Sequence, residues 1–318
     1  MSSTIIQFSD LHAGSRKDLD RLNAVCSYAS KKRADALMLV GDISDAHADR
    51  FYRTLNEEEK QVIMGIQQIP EMPDSKEKQK LIEQLQEAIQ KLGPGIKEKE
   101  IAAYADKRVA SSIDSRLEKL VNSGVKVLGV KGNHDSALVS NLYKNIQWLD
   151  EKGVEIDGVK YEGTTNLIGN GSKKAHPVKV HQFCDELFPH LDAKQGKMDY
   201  ERIKAGWKDS KKKILVSHYA FHHPESGHIN AHFPEMQKLV EEEKPSAILS
   251  GHTHIPMLGS VGKDTGVFVS SHHAGYRHKV DSDGRIAETY RFWLVERELY
   301  EDNKEMIDKC YNVHLNAA

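Results

Sequence analysis

The chain has 318 residues, of which 39% are hydrophobic and 29% are charged, as in an ordinary globular protein. Its formal net charge is −2, so the total charge gives no general attraction to nucleic acid or to an acidic membrane. No apolar run reaches the length of about 18 residues that a membrane-spanning helix needs, and the N-terminus has no signal-peptide pattern. We therefore expect a cytoplasmic protein without membrane contact.

The first predicted elements are a strand, a helix and a second strand. Residues 4–8 form a short apolar run that ends in polar residues, and residues 16–32 place apolar side chains at helical spacing. A second apolar run, residues 36–40, ends at Gly41 and Asp42. This order predicts a parallel sheet with helices on its faces.

From about residue 49 to residue 120 the sequence becomes rich in Glu, Lys and Gln and predicts helices. One helix is predicted near residues 56–69, and two apolar stripes at helical spacing follow it. The stripes are Leu81, Leu85, Ile89 and Leu92, and then Ile101, Ala105, Val109, Ile113 and Leu117. Gly93-Pro94-Gly95 lies between them, so we expect a tight break between two helices there. We interpret residues 49–120 as a helical insertion, serving as a cap or a homo-oligomer interface, in a single domain of residues 1–318.

Strand patterns resume at residues 125–130. Alternating residues on both sides of Asp157-Gly158 predict a hairpin, because Asp-Gly favours a tight turn. Further strands are predicted at residues 213–216, 246–249, 266–270 and 286–295.

Five of the predicted strands end in clusters of residues that bind metals. The clusters are Asp10-Leu11-His12, Gly41-Asp42-Ile43-Ser44-Asp45, Gly132-Asn133-His134-Asp135, His218 and Gly251-His252-Thr253-His254. Since ligands of open α/β sheets bind beyond the carboxyl ends of the strands, we expect these clusters to meet at one rim. Oxygen and imidazole ligands without thiolate suit Mn²⁺, Fe or Zn²⁺, and two such ions can activate water and hold phosphate oxygens. The pattern therefore predicts phosphoester hydrolysis.

The ordered set DxH, GD, GNHD, H and GHxH resembles the calcineurin-like metallophosphoesterases over about residues 4–45 and 125–271. The resemblance implies a four-layer α/β/β/α sandwich and a binuclear site with two divalent metal ions, which are Mn, Fe or Zn. It also implies the ligands: Asp10, His12 and His254 for one ion, Asn133, His218 and His252 for the other, and Asp42 as the bridge.

Other residues are candidates for contact with the substrate. The resemblance implies that His134 is a catalyst outside the metal ligands, acting on the leaving oxygen, and that Asp45 orients it. Asp45 as a helix cap is the alternative. The candidates for binding the substrate are His222, His223 and Asn133.

Further side chains near these motifs have more ordinary interpretations. Asp135 is expected to support the site or to cap a helix. His228, His232, His272 and His273 are expected to be loop residues without a catalytic role. Tyr219 and Tyr276 either stack on a substrate ring or pack in the core.

The residues of the motifs narrow the range of candidate substrates. GNHD with an unaltered His134 is typical of the cyclic-nucleotide and general phosphodiesterase branches, whereas protein phosphatases usually carry GDxVDRG and GNHE. We therefore predict hydrolysis of a small or nucleotide-like phosphodiester by in-line attack of a metal-bridging hydroxide. A phosphomonoesterase or a DNA or RNA nuclease of the same superfamily is the alternative, and the near-neutral charge disfavours nucleic acid. A non-catalytic interaction module would be a different class of function, but such modules usually lose the ligands that this sequence retains.

Overall fold

The structure is a computed structural model that describes most of the chain. The described residues are 2–13, 16–44, 51, 53–69, 72–104, 107–135, 138–164, 193–219, 234–261, 265–295 and 298–302. The strands are β1 (Ser3–Phe8), β2 (Ala36–Val40), β3 (Lys126–Val130), β4 (Gln147–Trp148), β5 (Val154–Ile156), β6 (Val159–Thr164), β7 (Lys213–Ser217), β8 (Ala247–Ser250), β9 (Met257–Val261), β10 (Thr265–Val269), β11 (Ala274–Val280), β12 (Ile286–Val295) and β13 (Glu298–Glu301). The helices are α1 (Arg16–Lys31), α2 (Glu57–Gln68), α3 (Lys76–Tyr104), α4 (Lys107–Asn122), α5 (Val139–Leu142), α6 (Ala193–Trp207) and α7 (Pro234–Glu243).

The strands form two mixed sheets. The first has the order β13-β12-β11-β1-β2-β3-β4, and the second has the order β5-β6-β7-β8-β10-β9. Strands β1, β2 and β3 are parallel neighbours in the first sheet, and β6, β7, β8 and β10 are parallel neighbours in the second. Parallel strands end on the same side, so each sheet presents several carboxyl ends at one edge.

The two sheets pack face to face and helices cover their outer faces. Successive side chains of a strand point to opposite faces, so Ile5 of β1 enters the core between the sheets while Ile6 enters the core under α1 and α4. Helices α6 and α7 cover the second sheet through a third core, which includes Trp207. Burial on both faces explains the continuous apolar runs of β1 and β2. The predicted four-layer α/β/β/α sandwich is confirmed.

Strands β9 and β11 have no counterpart among the predicted elements. Strand β11 is buried, but its sequence contains Arg277, His278 and Lys279, which interrupt the apolar pattern. Arg277 is compensated by an ion pair with Glu301, and His278 by hydrogen bonds inside the protein. Strand β9, the edge strand beside β10, was likewise not predicted.

The predicted hairpin is confirmed. Strands β5 and β6 pair in antiparallel register, with Val154 opposite Tyr161. Asp157 has φ of 49° and Gly158 has φ of 77°, which is the conformation that a two-residue turn between twisted strands requires.

The predicted helix break at Gly93-Pro94-Gly95 is wrong, because α3 continues through Pro94. A proline in a helix interior removes one hydrogen bond and clashes with the preceding turn. Two contacts with α2 hold the second half of α3 in place: Ile96 is fully buried in a small core that the two helices share, and Lys99 pairs with Glu59. This packing overrides the local preference of the sequence. Within the described ranges, every helix is too short or too polar to span a membrane.

Candidate metal centre

Five strand ends from both sheets meet at one end of the sandwich. Asp10 and His12 follow β1, Asp42 follows β2, Asn133 and His134 follow β3, His218 follows β7, and His252 and His254 follow β8. The loops are joined by backbone hydrogen bonds: the N–H of His12 donates to the Asp42 carbonyl at 2.8 Å, and the N–H of Gly251 donates to the His218 carbonyl at 3.0 Å. The rim that the sequence predicts is therefore shared by two sheets.

The first group of converging side chains consists of Asp10, His12, Asp42 and His254. Each offers one ligand atom, and these atoms lie within 4.8 Å of one another. His254 Nε2 lies 3.4 Å from Asp10 Oδ1 and 3.1 Å from His12 Nε2. His12 Nε2 lies 3.7 Å from Asp42 Oδ2. The structure thus brings together the three predicted ligands of one ion and the predicted bridge.

The second group consists of Asp42, His218 and His252, with Asn133 beside it. His218 Nε2 lies 3.2 Å from Asp42 Oδ2 and 3.1 Å from Asn133 Oδ1. The other ring nitrogen, Nδ1, lies 3.0 Å from the Val40 carbonyl. Since a carbonyl can only accept, Nδ1 carries a hydrogen, and Nε2 is the ring nitrogen that faces the group, as in a metal-binding histidine.

Asp42 is the residue that the two groups share. Its side chain is 1% exposed, and its Oδ1 accepts a hydrogen bond from the His134 backbone N–H at 2.8 Å. Burial opposes the negative charge of Asp42, but the imidazoles of His218, His134 and His12 outweigh it and hold the pKa of this carboxyl well below its usual range. Burial likewise opposes protonation of His218, yet Asp42 raises the pKa of that imidazole.

The backbone at these strand ends is strained. Five of the eight non-glycine residues with positive φ among the described residues are predicted metal ligands. They are Asp10, His12, Asp42, His252 and His254, with φ between 45° and 71°. Each such conformation costs about 1 to 3 kcal/mol, and such costs concentrate at functional sites.

Glycines allow the close approach of the loops. A Cβ on Gly41 would lie 2.2 Å from His218 Nδ1, and a Cβ on Gly132 would lie 2.1 Å from Asp42 Oδ1. Gly41 also has φ of 78°. The glycine of the GD motif is therefore required by space and by its backbone conformation, and that of the GNHD motif is required by space.

Asp135 ties two ligand loops together. Its buried carboxylate accepts hydrogen bonds from the backbone N–H groups of Gly132 at 2.9 Å, Ile43 at 3.2 Å and Ser44 at 2.8 Å. The Ser44 hydroxyl donates to it as well, at 2.9 Å. Burial and the charge of Asp42 raise the pKa of Asp135 despite these donors. Asp135 thus supports the loops after β2 and β3, as its expected supporting role requires.

The remaining predicted residues divide into three sets. His134 belongs to neither ligand group, and its ring meets the His12 ring edge-on at 4.9 Å between centroids. Tyr219 and Tyr276 are buried and pack in two different cores, so the packing interpretation of both is confirmed. Four further histidines and one acid lie outside the described residues: Asp45, His222, His223, His228 and His232.

His272, expected near these motifs but without a catalytic role, lies close to the ligands. Its ring centroid is 5.2 Å from that of His254. Burial and the neighbouring His273 and His254 lower the pKa of His272 to about 4, so its imidazole is neutral at physiological pH. The sequence places His272 just beyond an apolar run. This position is a weak signal of contact with the ligands, because no recognised motif follows the run.

The donor set fits a pair of divalent metal ions. It contains carboxylate oxygens, imidazole nitrogens and one amide oxygen, which suit borderline metals such as Mn²⁺, Fe²⁺ and Zn²⁺. Asp10 and Asp42 are almost fully buried, and buried carboxylates need compensating positive charge. The side chains of His12 and His254 remain 19% and 45% exposed, so the first group is accessible to a small molecule.

Comparison with known proteins identifies the family of the chain. The sequence model of a family described as calcineurin-like phosphoesterase matches residues 95–256. The chain therefore belongs to the calcineurin-like phosphoesterase family, and with its candidate ligand groups it is a metal-dependent phosphoester hydrolase. No curated protein sequence matches the chain significantly.

Solved structures are similar to the chain at low sequence identity. A dimetal phosphatase from Danio rerio has 10% identity and a TM-score of 0.53, with 95% of this chain and 99% of that chain covered. The protein TT1561 of Thermus thermophilus has 15% identity and a TM-score of 0.49, with 95% of this chain and 99% of that chain covered. The likeness to the Danio rerio protein supports the sandwich fold.

Proposed function

We propose that the protein hydrolyses a small or nucleotide-like phosphodiester with two divalent metal ions, which are Mn, Fe or Zn. The observation that carries the proposal is that two ligand groups share one buried carboxylate, Asp42. The ligands of the first ion would be Asp10, His12 and His254, and those of the second would be Asn133, His218 and His252. Bound at these positions, the ions would lower the pKa of a water molecule and neutralise charge on the phosphate oxygens.

The charge balance of the site favours an anionic substrate. Asp10 and Asp42 are the carboxylates in the two groups, and two carboxylates neutralise only half the charge of two divalent ions. The loaded site therefore retains a positive charge that attracts phosphate. The exposed edges of His12 and His254 lie on the open side, where the substrate would enter.

His134 is the residue we assign to the leaving group. Its backbone N–H is fixed by Asp42, and its ring lies beside His12 without belonging to a ligand group. A nearby imidazole can donate a proton or a hydrogen bond to the departing oxygen near neutral pH. Asp45 would orient His134, and His222, His223 and Asn133 would contact the phosphate.

A diester is favoured over other esters by the motif wording and by the charge of the chain. GNHD, with His134 unaltered, is typical of phosphodiesterase branches. The net charge of −2 gives no support for a long nucleic acid, which proteins usually bind through an excess of Lys and Arg. A small phosphoester is therefore the proposed partner.

The helical insertion would act as a cap over it or as an interface between copies of the chain.

The test is hydrolysis of two reporters by chelator-treated protein to which Mn²⁺ is returned. We expect Mn²⁺ to restore turnover of bis-p-nitrophenyl phosphate, a diester, well above that of p-nitrophenyl phosphate, a monoester. The same protein without returned Mn²⁺ is the control. Turnover of the monoester alone would overturn the diester assignment, and no stimulated turnover of either ester would overturn the enzymatic function.

A further inference from the structure

A row of buried polar side chains crosses the core between the sheets and ends at Asp10. Its members are Gln7 of β1, His278 of β11, and Ser270 and Ser9, which directly follow β10 and β1. Gln7, His278 and Ser270 are fully buried, and Ser9 is 2% exposed. Elsewhere this layer consists of apolar side chains such as Ile5. Polar groups are costly in such surroundings unless they are hydrogen-bonded, so each bond in the row can be assigned.

The orientation of Gln7 follows from two backbone carbonyls. Its Nε2 lies 2.9 Å from the Ser250 carbonyl and 2.8 Å from the Phe268 carbonyl, and both can only accept. Its Oε1 therefore points to His278 Nε2, at 2.9 Å, and accepts a hydrogen bond from it. The second ring nitrogen of His278 then accepts from the Thr289 hydroxyl at 3.1 Å. Burial lowers the pKa of His278 to about 3, so the imidazole stays neutral in this arrangement.

The other half of the row leads from Gln7 to the carboxylate. Gln7 Nε2 lies 3.2 Å from Ser270 Oγ, farther than from the two carbonyls that take its two hydrogens. Ser270 Oγ lies 2.9 Å from Ser9 Oγ and 3.1 Å from the Ser250 carbonyl, and the Ser9 hydroxyl donates to Asp10 Oδ2. With the shorter Ser270 contact as the donor bond, the hydroxyl hydrogens of Ser270 and Ser9 both point towards Asp10. Aligned donors of this kind stabilise a negative charge at the end of the row.

Asp10 is held differently at its two oxygens. Oδ2 accepts the charge-assisted hydrogen bond from Ser9, while Oδ1 lies 3.4 Å from His254 Nε2. The backbone N–H of His252 lies 3.0 Å from Oδ1 and 3.1 Å from Oδ2. The Ser9 hydroxyl is thus the side-chain donor that fixes the rotation of the carboxylate and leaves Oδ1 directed towards the first ligand group.

We propose that Ser270 and Ser9, at the end of this row, form a positioning relay that holds Asp10 in its ligand orientation and so sets the affinity of the first metal site. This inference rests on the proposed binuclear function. Hydrogen-bond partners of metal ligands typically change metal affinity by about 10- to 100-fold when they are removed. A relay also predicts coupling, because the Ser270 hydroxyl reaches Asp10 through the Ser9 hydroxyl.

The experiment is calorimetric titration of the metal-depleted full chain with Mn²⁺, in the wild type, Ser9→Ala, Ser270→Ala and the double variant. We expect Ser9→Ala to weaken one of two sites by about 10- to 100-fold and to leave the other unchanged. Ser270→Ala should weaken the same site less, and the double variant should match Ser9→Ala. Ser250→Ala is the matched control: it removes a buried hydroxyl that has no hydrogen-bond partner among the described residues, and it should leave both affinities unchanged.

Thermal unfolding of the same metal-depleted proteins separates positioning from folding. The relay predicts that both single variants keep the fold and differ in metal affinity. Unchanged affinity in Ser9→Ala, additive losses in the double variant, equal losses at both sites, or loss of the fold in both single variants would each overturn the relay. Wild-type protein that binds no Mn²⁺ would instead overturn the proposed function, and the relay with it.

Discussion

The metal-ligand end of the sandwich and the helical insertion place charged residues in opposite environments. At the strand ends, Asp10 and Asp42 are almost fully buried and lie on backbone with positive φ. In α2 and α3, apart from the buried Glu59, charged pairs lie on the surface of helices, as in the pair of Glu58 and Lys91, whose side chains are 64% and 75% exposed. Surface pairs of this kind contribute at most about 1 kcal/mol.

This difference separates the residues that serve metal binding from those that stabilise the fold. Strained backbone opposes folding, so the ligand residues adopt conformations that cost stability in return for a metal site. The insertion instead depends on its own small apolar core, which includes Ile63, Leu85 and Ile96. Substitutions at the strand ends should therefore remove metal binding without unfolding the chain, and substitutions in the insertion core should do the reverse.

The largest effect is expected for Asp42→Asn. Asparagine tolerates the positive φ of 49° and removes only the charge that both ions would share, so activity should fall by about 10³-fold or more while the fold remains. Steady-state hydrolysis and metal content measure the two expectations. Asp157→Asn, in the exposed hairpin turn with the same φ, is the control and should behave as the wild type. Full activity in Asp42→Asn would contradict the bridging assignment.

His134→Ala should slow turnover by about 10²-fold and leave both ions bound. The reason is that His134 belongs to neither ligand group, whereas loss of a proton donor typically costs this much or more. Turnover and metal content of the purified variant are the measurements. If the variant lost metal, the role of His134 outside the ligands would be wrong.

In the insertion, Ile96→Ala should lower the free energy of unfolding by roughly 2 to 3 kcal/mol and leave Mn²⁺ affinity unchanged. Ile96 of α3 is fully buried in the core that α3 shares with α2, and truncating its side chain leaves a cavity. Urea denaturation and Mn²⁺ titration give the two quantities. Met64→Ala, at a side chain of α2 that is 49% exposed, should change stability by less than about 0.5 kcal/mol. A weaker metal site in Ile96→Ala would show that the two regions are coupled.

The smallest effect is expected for Pro94→Ala. Alanine restores the missing hydrogen bond of α3, but the unfolded chain becomes more flexible, so a net stabilisation of about 1 kcal/mol is expected. Urea denaturation measures it, and Mn²⁺ affinity should stay at the wild-type value. A loss of stability would mean that the α3 conformation at Pro94 is required by its packing against α2.

Much of the sandwich could be predicted because strands that are buried on both faces are continuous apolar runs. Strands β2 and β7 are examples: β7 ends directly before the predicted ligand His218, and only Gly41 separates β2 from Asp42. Strand β11 could not be predicted in this way, because Arg277 and His278 are compensated by partners that are distant in sequence. The prediction of a helix break at Pro94 failed for a related reason. The contacts that hold α3, such as the ion pair of Lys99 with Glu59, join segments that are separate in the sequence.

The site was predictable in its residues but not in its geometry. The order of the motifs indicated which side chains belong together, since carboxyl ends of parallel strands meet. The positive φ values of His252 and His254 and the hydrogen bond from Ser9 to Asp10 depend on how the loops pack, and local sequence does not encode that. Gln7 offered a faint signal, as a polar residue inside an apolar run, but its partner His278 is 271 positions away.

The most direct test of the central claim is a crystal structure of the full chain loaded with Mn²⁺, with the ions located by anomalous scattering. We predict two Mn²⁺ peaks, one on each side of the Asp42 carboxylate. One should contact Asp10, His12 and His254, and the other should contact Asn133, His218 and His252. A single peak, or peaks that Asp42 does not contact, would contradict it.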